Sequence, residues 1–194
     1  MNESIGSAAR PLILASGSPR RREILEKLGV AFSVCPAKTE AGIDGALPLC
    51  EAVTAVTRAK AEEVAAEHPG QAVLGADTVV ALGETVLGKP RDEEDAKRML
   101  ALLSGKEHRV VTAVWVIDEA GNGQGFASDN RVTFAPLSEA DIAEYVATGE
   151  PLDKAGAYGI QGVGGRYITR LCGDFYAVMG LPTGDLWRFL REIS

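Results

Sequence analysis

Leu12-Ile-Leu-Ala-Ser-Gly-Ser-Pro-Arg-Arg-Arg-Glu-Ile-Leu25 holds the first decision about the fold. A short apolar, β-prone run (Pro11–Ala15) stops at Ser16-Gly17-Ser18-Pro19, and Ile24, Leu25 and Leu28 then recur at helical spacing before Gly29. Proline is suited to the first helical turn, so the stretch reads as a strand handing over to a helix. The backbone amides at such a helix start, together with the Ser16 and Ser18 hydroxyls and the charges of Arg20 and Arg21, make an anion site. The alternative is a capped helix followed by a solvated basic face.

The same alternation continues outward. An alanine-rich helix is expected from about Pro48 to His68, and Gln71–Leu82 reads as a buried strand interrupted near Gly75. Gly83-Glu84 makes a hairpin turn, and Asp92 caps a helix running to about Leu103. His108–Asp118 and Gly125–Leu137 are strand-rich and joined by a hairpin loop. Ser138 starts a further helix, and the last begins near Pro182. Between them, Gly149–Met179 reads as glycine-rich loop with short strands. Strands alternating with helices, plus hairpins, predict an α/β fold: one domain over residues 1–194, with a cleft and a mixed central sheet flanked by helices. Residues 1–10 are expected to be a flexible N-terminus.

Composition narrows the function. The 194 residues are 46% apolar, enough for a sizeable core, and the formal charge of −7 argues against a nucleic-acid polymer as partner. A small anion in a local basic pocket remains compatible. The three cysteines, far apart in sequence, read as buried thiols of a reduced, cytoplasmic protein rather than a disulfide framework or zinc site. Neither a signal peptide nor a membrane-length apolar stretch is present in the sequence, so no membrane partner is expected.

Three further stretches carry candidate chemistry. Gly83–Lys89 has P-loop spacing, but Pro90 stands where Ser or Thr is needed, so that reading fails. Lys89 is then either held for function between glycine and proline or an ordinary surface lysine. Asp77 sits inside the apolar strand Gly-Ala-Asp-Thr-Val-Val, where a carboxylate is costly unless paired or bound to a cation such as magnesium. A structural aspartate bonded to backbone amides is the alternative. In Gly149–Tyr167, Asp153, Lys154, Tyr158 and Gln161 lie among six glycines. Gln161 can read a base edge and Tyr158 can stack, or the region is a packed turn. The two histidines, His68 and His108, are too scattered for a metal site or a triad, and Trp115 and Trp187 read as core or interface.

Taken in order, "LILASGSPRRREIL", "TRAKAEE", "LGADTVV", "LGKPRDEEDAKRMLALLSGKEHRVVTAV", "GEPLDKAGAYGIQG" and "YAVMGLP" resemble the Maf family of nucleoside triphosphate pyrophosphatases, also called septum formation inhibitor proteins. "DKAGAYGIQG" is similar to the branch acting on dTTP and UTP rather than the 7-methyl-GTP branch. The resemblance implies cleavage of a nucleoside triphosphate to monophosphate and pyrophosphate with a divalent cation, magnesium or manganese, and a homodimer. It further implies Asp77 as proton acceptor and Arg20, Thr78 and Gln161 as specificity positions. Ser16, Lys60 and Lys89 match polar and basic residues of the family's cleft. Asp77 and Glu40 are the metal-holding carboxylates it suggests, although Ala41 replaces a second acid common in relatives. A nucleotidyltransferase or a non-catalytic division regulator are the rival readings.

Overall fold

Residues 4–39 and 42–193 are described by the computed structural model. The opening apolar run forms β1 (Leu12–Leu14), buried throughout and paired in parallel with both β2 (Phe32–Val34) and β3 (Ala72–Leu82). A strand with parallel neighbours on both sides has both faces covered, which is why its residues are continuously apolar rather than alternating. Pro19 opens α1 (Pro19–Lys27), which buries Ile24 and Leu25. Gly29 follows at φ +68°, a left-handed turn that lets the chain double back into β2. The next helix, α2 (Leu49–Glu67), buries Ala52, Val53, Val56, Thr57, Ala61 and Val64, a stripe at helical spacing.

Beyond β3 the hairpin turns at Gly83 (φ +58°) into β4 (Thr85–Leu87), which pairs antiparallel with β3. Asp92 caps α3 (Glu93–Leu103) by accepting from Asp95 N at 2.8 Å. Strands β5 (Glu107–Ile117) and β6 (Gly123–Phe134) follow, then α4 (Glu139–Ala147), opened by a Ser138/Asp141 capping box. Three 3-10 turns lead to β7 (Ile168–Cys172), antiparallel to β6, then α5 (Phe175–Met179) and α6 (Thr183–Glu192). Among the described residues the sheet has seven strands in the order β2-β1-β3-β5-β6-β7, with β4 beside β3. The fold is α/β with a mixed sheet, as the alternation predicts.

Within this α/β fold the chain divides into two compact units. The first comprises residues 1–77, 112–128 and 180–194; the second comprises 78–111 and 129–179. Strands β3, β5 and β6 each run from one unit into the other. The first has an apolar cluster of Ile13, Ala15, Ala61, Val64, Val73 and Ile117. In the second, Val80, Leu87, Met99, Leu100, Leu103 and Phe134 are among the core residues.

Four expectations need correction. Gly75 does not interrupt β3, which runs unbroken through it. The expected loop before Gly125 is shorter, because β6 already begins at Gly123. The N-terminus is docked over its described residues: Ile5 is buried, Ala31 N donates to Gly6 O (2.7 Å), and Arg10 pairs with Glu119 (2.8 Å). Finally, the thiols are not buried; Cys35 and Cys50 are half-buried and Cys172 is exposed, and none of them is in a disulfide. No helix among the described residues is long and apolar enough to cross a membrane.

Candidate active site

In the first unit the site grows from the register of β1 and β3. Leu14 lies opposite Leu74, and Ala15 N donates to Leu74 O (2.8 Å). The Ser16–Ser18 turn therefore leaves the carboxyl end of β1 alongside the part of β3 that leads to Asp77. Carboxyl ends of parallel strands are where open α/β sheets take their ligands. The turn is braced internally. Ser16 Oγ accepts from Arg21 Nη1 (2.7 Å) and from Ser18 N (3.3 Å), while Arg21 Nε donates to Gly180 O (2.9 Å). Arg21 is thus spent on holding the turn, and Arg20, beside it, is half-buried. Burial pushes the Arg21 guanidinium below its ordinary pKa; the Asp77 carboxylate pulls it back, and Arg20 adds to the downward push. Ser16, Arg20, Arg21 and Asp77 consequently share one electrostatic neighbourhood. Ser18 makes no side-chain cap to α1.

Lys60 and Asp77 form an ion pair between Nζ and Oδ2, both side chains about one-fifth exposed. Local packing explains it. A Cβ on Gly75 would stand 2.9 Å from Thr57 O and 3.0 Å from Ala61 Cβ, so α2 lies against β3 where only glycine fits. Asp77, two residues on, leaves the same strand face as Gly75, and Lys60 lies on the helix turn pressed there. The aspartate's carboxylate thus meets a lysine brought to it by the helix.

In the second unit Thr78 is half-buried, while Lys89 and Gln161 are exposed. Thr78 and Val80 share the other face of β3, and Val80 packs beneath Gly156, whose absent Cβ would lie 2.8 Å from Val80 Cγ2. Gly156 N in turn donates to Gly88 O (3.0 Å), tying the residue before Lys89 to the glycine-rich loop. That loop is built around Glu150, which the sequence reading passed over. Its carboxylate accepts from Tyr145 Oη (2.7 Å), Val163 N (2.8 Å) and Gly164 N (3.1 Å), and Lys154 Nζ donates to its backbone carbonyl (2.7 Å). Burial opposes the Glu150 charge, but the hydrogen bonds from Tyr145, Gly164 and Val163 and the charge of Lys154 outweigh it, so its pKa falls. A Cβ on Gly162 would collide with the same carboxylate at 2.4 Å. The glycines let backbone wrap a half-buried acid; Gln161, between Ile160 and Gly162, rides on that wrap.

Tyr158 packs rather than stacks outward. Its hydroxyl meets His108 Nε2 at 2.8 Å, and its ring meets Phe134 edge-on (4.7 Å between centroids). Glu40 lies outside the described residues. Trp115 is half-buried against the first unit's apolar cluster, while Trp187 is 53% exposed. A glutamate bonded to a tyrosine five residues earlier carries no sequence signal of its own, which is why Glu150 was not legible.

Residues 11–193 match the Maf-like protein family, and this chain belongs to it. It is 50% identical over 185 residues to the "dTTP/UTP pyrophosphatase" of Anaeromyxobacter sp. (strain Fw109-5), covering 93% of this chain and 88% of that one. The protein of the same name from Bacillus velezensis is 46% identical over 183 residues, covering 94% and 96%. Among solved structures, the nucleoside-triphosphatase / dITP/XTP pyrophosphatase of Mycobacterium abscessus matches with a TM-score of 0.49 at 17% identity, covering 94% of this chain and 97% of that one.

Proposed function

We propose that the chain is a nucleoside triphosphate pyrophosphatase that hydrolyses dTTP and UTP to the monophosphate and pyrophosphate. The observation that carries the reading is the Lys60–Asp77 pair beside the braced serine turn, in a member of a family whose relatives bear that activity in their names. Phosphate oxygens find amide donors at the start of α1 and cationic partners in Arg20, Lys60 and Lys89. Ser16, Ser18 and Arg21 hold the turn in shape. When phosphate draws Lys60 toward itself, the Asp77 carboxylate is left to accept the proton of the attacking water. Thr78 and Gln161 discriminate the base.

A divalent cation, magnesium or manganese, fits this donor set. Asp77 offers a half-buried hard oxygen on a rigid strand, and magnesium takes one or two carboxylates and completes its shell with phosphate oxygens and water. Asp77 would hold it, with Glu40 the second acid, and the ion would supply charge neutralisation on the triphosphate. The cytoplasmic nucleotide pool is the compartment that suits such a substrate. A homodimer is part of the same family reading.

The test is product identity with selectivity. Pyrophosphate, not orthophosphate, should appear from UTP and dTTP, and excess chelator should abolish it. An amide can donate to a ring carbonyl and accept from the ring N–H of uracil and thymine, a pairing cytosine lacks. Gln161→Ala should therefore lower efficiency on UTP and dTTP by about fivefold or more relative to CTP. Stepwise orthophosphate release would overturn the reaction, and an unchanged base preference would move base reading away from Gln161.

A further inference from the structure

Outside these residues, the Cys35 thiol, the Glu67 carboxylate and the His68 imidazole each place one ligand atom within 4.8 Å of the others. Their closeness is a product of the fold. Cys35 directly follows β2, the edge strand of the sheet, and Glu67 and His68 end α2. Cys35 N donates to Leu14 O (3.1 Å), and its side chain packs on the apolar cluster of the first unit. The two histidines looked too scattered for a metal because the partner of His68 is a cysteine 33 positions earlier in the chain.

Three physical features converge there. The donor set is a thiol, an imidazole and a carboxylate, the mixture that suits zinc and is poor for magnesium. The ligands sit at the carboxyl end of a 19-residue helix, where unpaired carbonyls and the helix dipole favour positive charge. The locus already attracts a cation: Lys38 Nζ pairs with Glu67 Oε1 at 2.8 Å. Glu63 meanwhile accepts from Lys38 N (2.8 Å) and Thr39 N (3.0 Å), so the backbone beside the cluster is tied down, and the lysine side chain, 79% exposed, can leave without disturbing it.

We infer that Cys35, Glu67 and His68 form a zinc-type site, separate from the nucleotide chemistry, in which the metal replaces the Lys38 ammonium. Metal–ligand bonds of about 2.0–2.3 Å in tetrahedral array place donor atoms about 3.3–3.7 Å apart, so side-chain rotations of the order of 1 Å close the site. Water takes the fourth position. Binding converts the thiol to thiolate and releases its proton. The metal then staples the chain after β2 to the end of the helix that carries Lys60.

Cobalt titration of the intact chain tests this, because a thiolate ligand gives cobalt a near-ultraviolet charge-transfer band that an all-oxygen site cannot give. One equivalent should bind with that band and tetrahedral visible bands, and zinc should displace it. Cys35→Ser should abolish the band, His68→Ala should weaken binding by about tenfold or more, and Lys38→Met should tighten it. Zinc should raise Tm in the parent but not in Cys35→Ser. Pyrophosphatase activity of both ligand variants, measured with magnesium, serves as the check that they fold. Absence of the band, its survival in Cys35→Ser, or affinity indifferent to His68→Ala would each overturn the site.

Discussion

At the scale of single residues, Asp77 and His108 show opposite ways of placing a titratable group in an apolar setting. Asp77 is answered by a lysine and remains one-fifth exposed, open to a reactant. Asp77→Asn keeps the shape but removes both the proton acceptor and a good metal oxygen. Turnover on UTP should fall by about a hundredfold or more with the far-ultraviolet circular dichroism unchanged, and a loss below about tenfold would assign Asp77 to structure alone. His108 is buried, with Nδ1 lacking a hydrogen-bond partner. Burial pushes its pKa down to about 4, against a smaller upward pull from the Lys106 backbone. The unfolded chain, with a histidine near pH 6.5, then binds the proton first, so stability is complete above that pH and declines as pH falls toward 4. Between pH 7 and 5, above the range of the depressed carboxylates Glu119 and Glu150, the loss should reach about 2 kcal/mol. Urea unfolding at the two pH values measures it, and His108→Gln should flatten the dependence.

At the scale of elements, the contact of α2 with β3 is the one on which the proposed chemistry rests. Thr57 O and Ala61 Cβ are parts of a helix and cannot swing aside, so Gly75→Ala must displace α2 itself. The expected cost is about 1–3 kcal/mol, read as a lower Tm. Because Lys60 lies on the displaced turn, kcat should fall together with stability. Unchanged Tm and kcat would show that the helix does not carry Lys60 to Asp77. The loop around Glu150 follows the same logic: Gly162 and Gly164 are present because a carboxylate and a tyrosine hydroxyl occupy the space that side chains would need.

For the whole molecule, two compact units raise the question of whether they unfold separately. Strands β3, β5 and β6 each contribute residues to both, so the backbone of three strands is continuous from one unit into the other. One calorimetric transition is expected, with calorimetric and van't Hoff enthalpies agreeing within about 10–20%. Two resolved transitions would show that the shared strands do not couple the units. The net charge of −7 gives the molecule no general attraction for polyanions, so on the proposed reading affinity for a triphosphate has to come from individual cationic side chains rather than from the overall field.

Local signals sufficed for much of this protein. The strand-to-helix turn at Ser16–Pro19, the Asp92 and Ser138 caps and the hairpin at Gly83 each depend on residues within a few positions, where propensity, capping and backbone freedom act directly. Asp77 stood out for the same reason, as a charge within an apolar run. The colinear motifs likewise sufficed for the family. What sequence could not determine were the partners those residues meet. Arg21 turns to a carbonyl 159 positions away, Lys60 meets an aspartate 17 positions on, and Cys35 meets the end of a distant helix. Such pairings depend on how closely one element approaches another, and that distance is decided by buried side-chain volume across the interface, as at Gly75, not by any spacing along the chain.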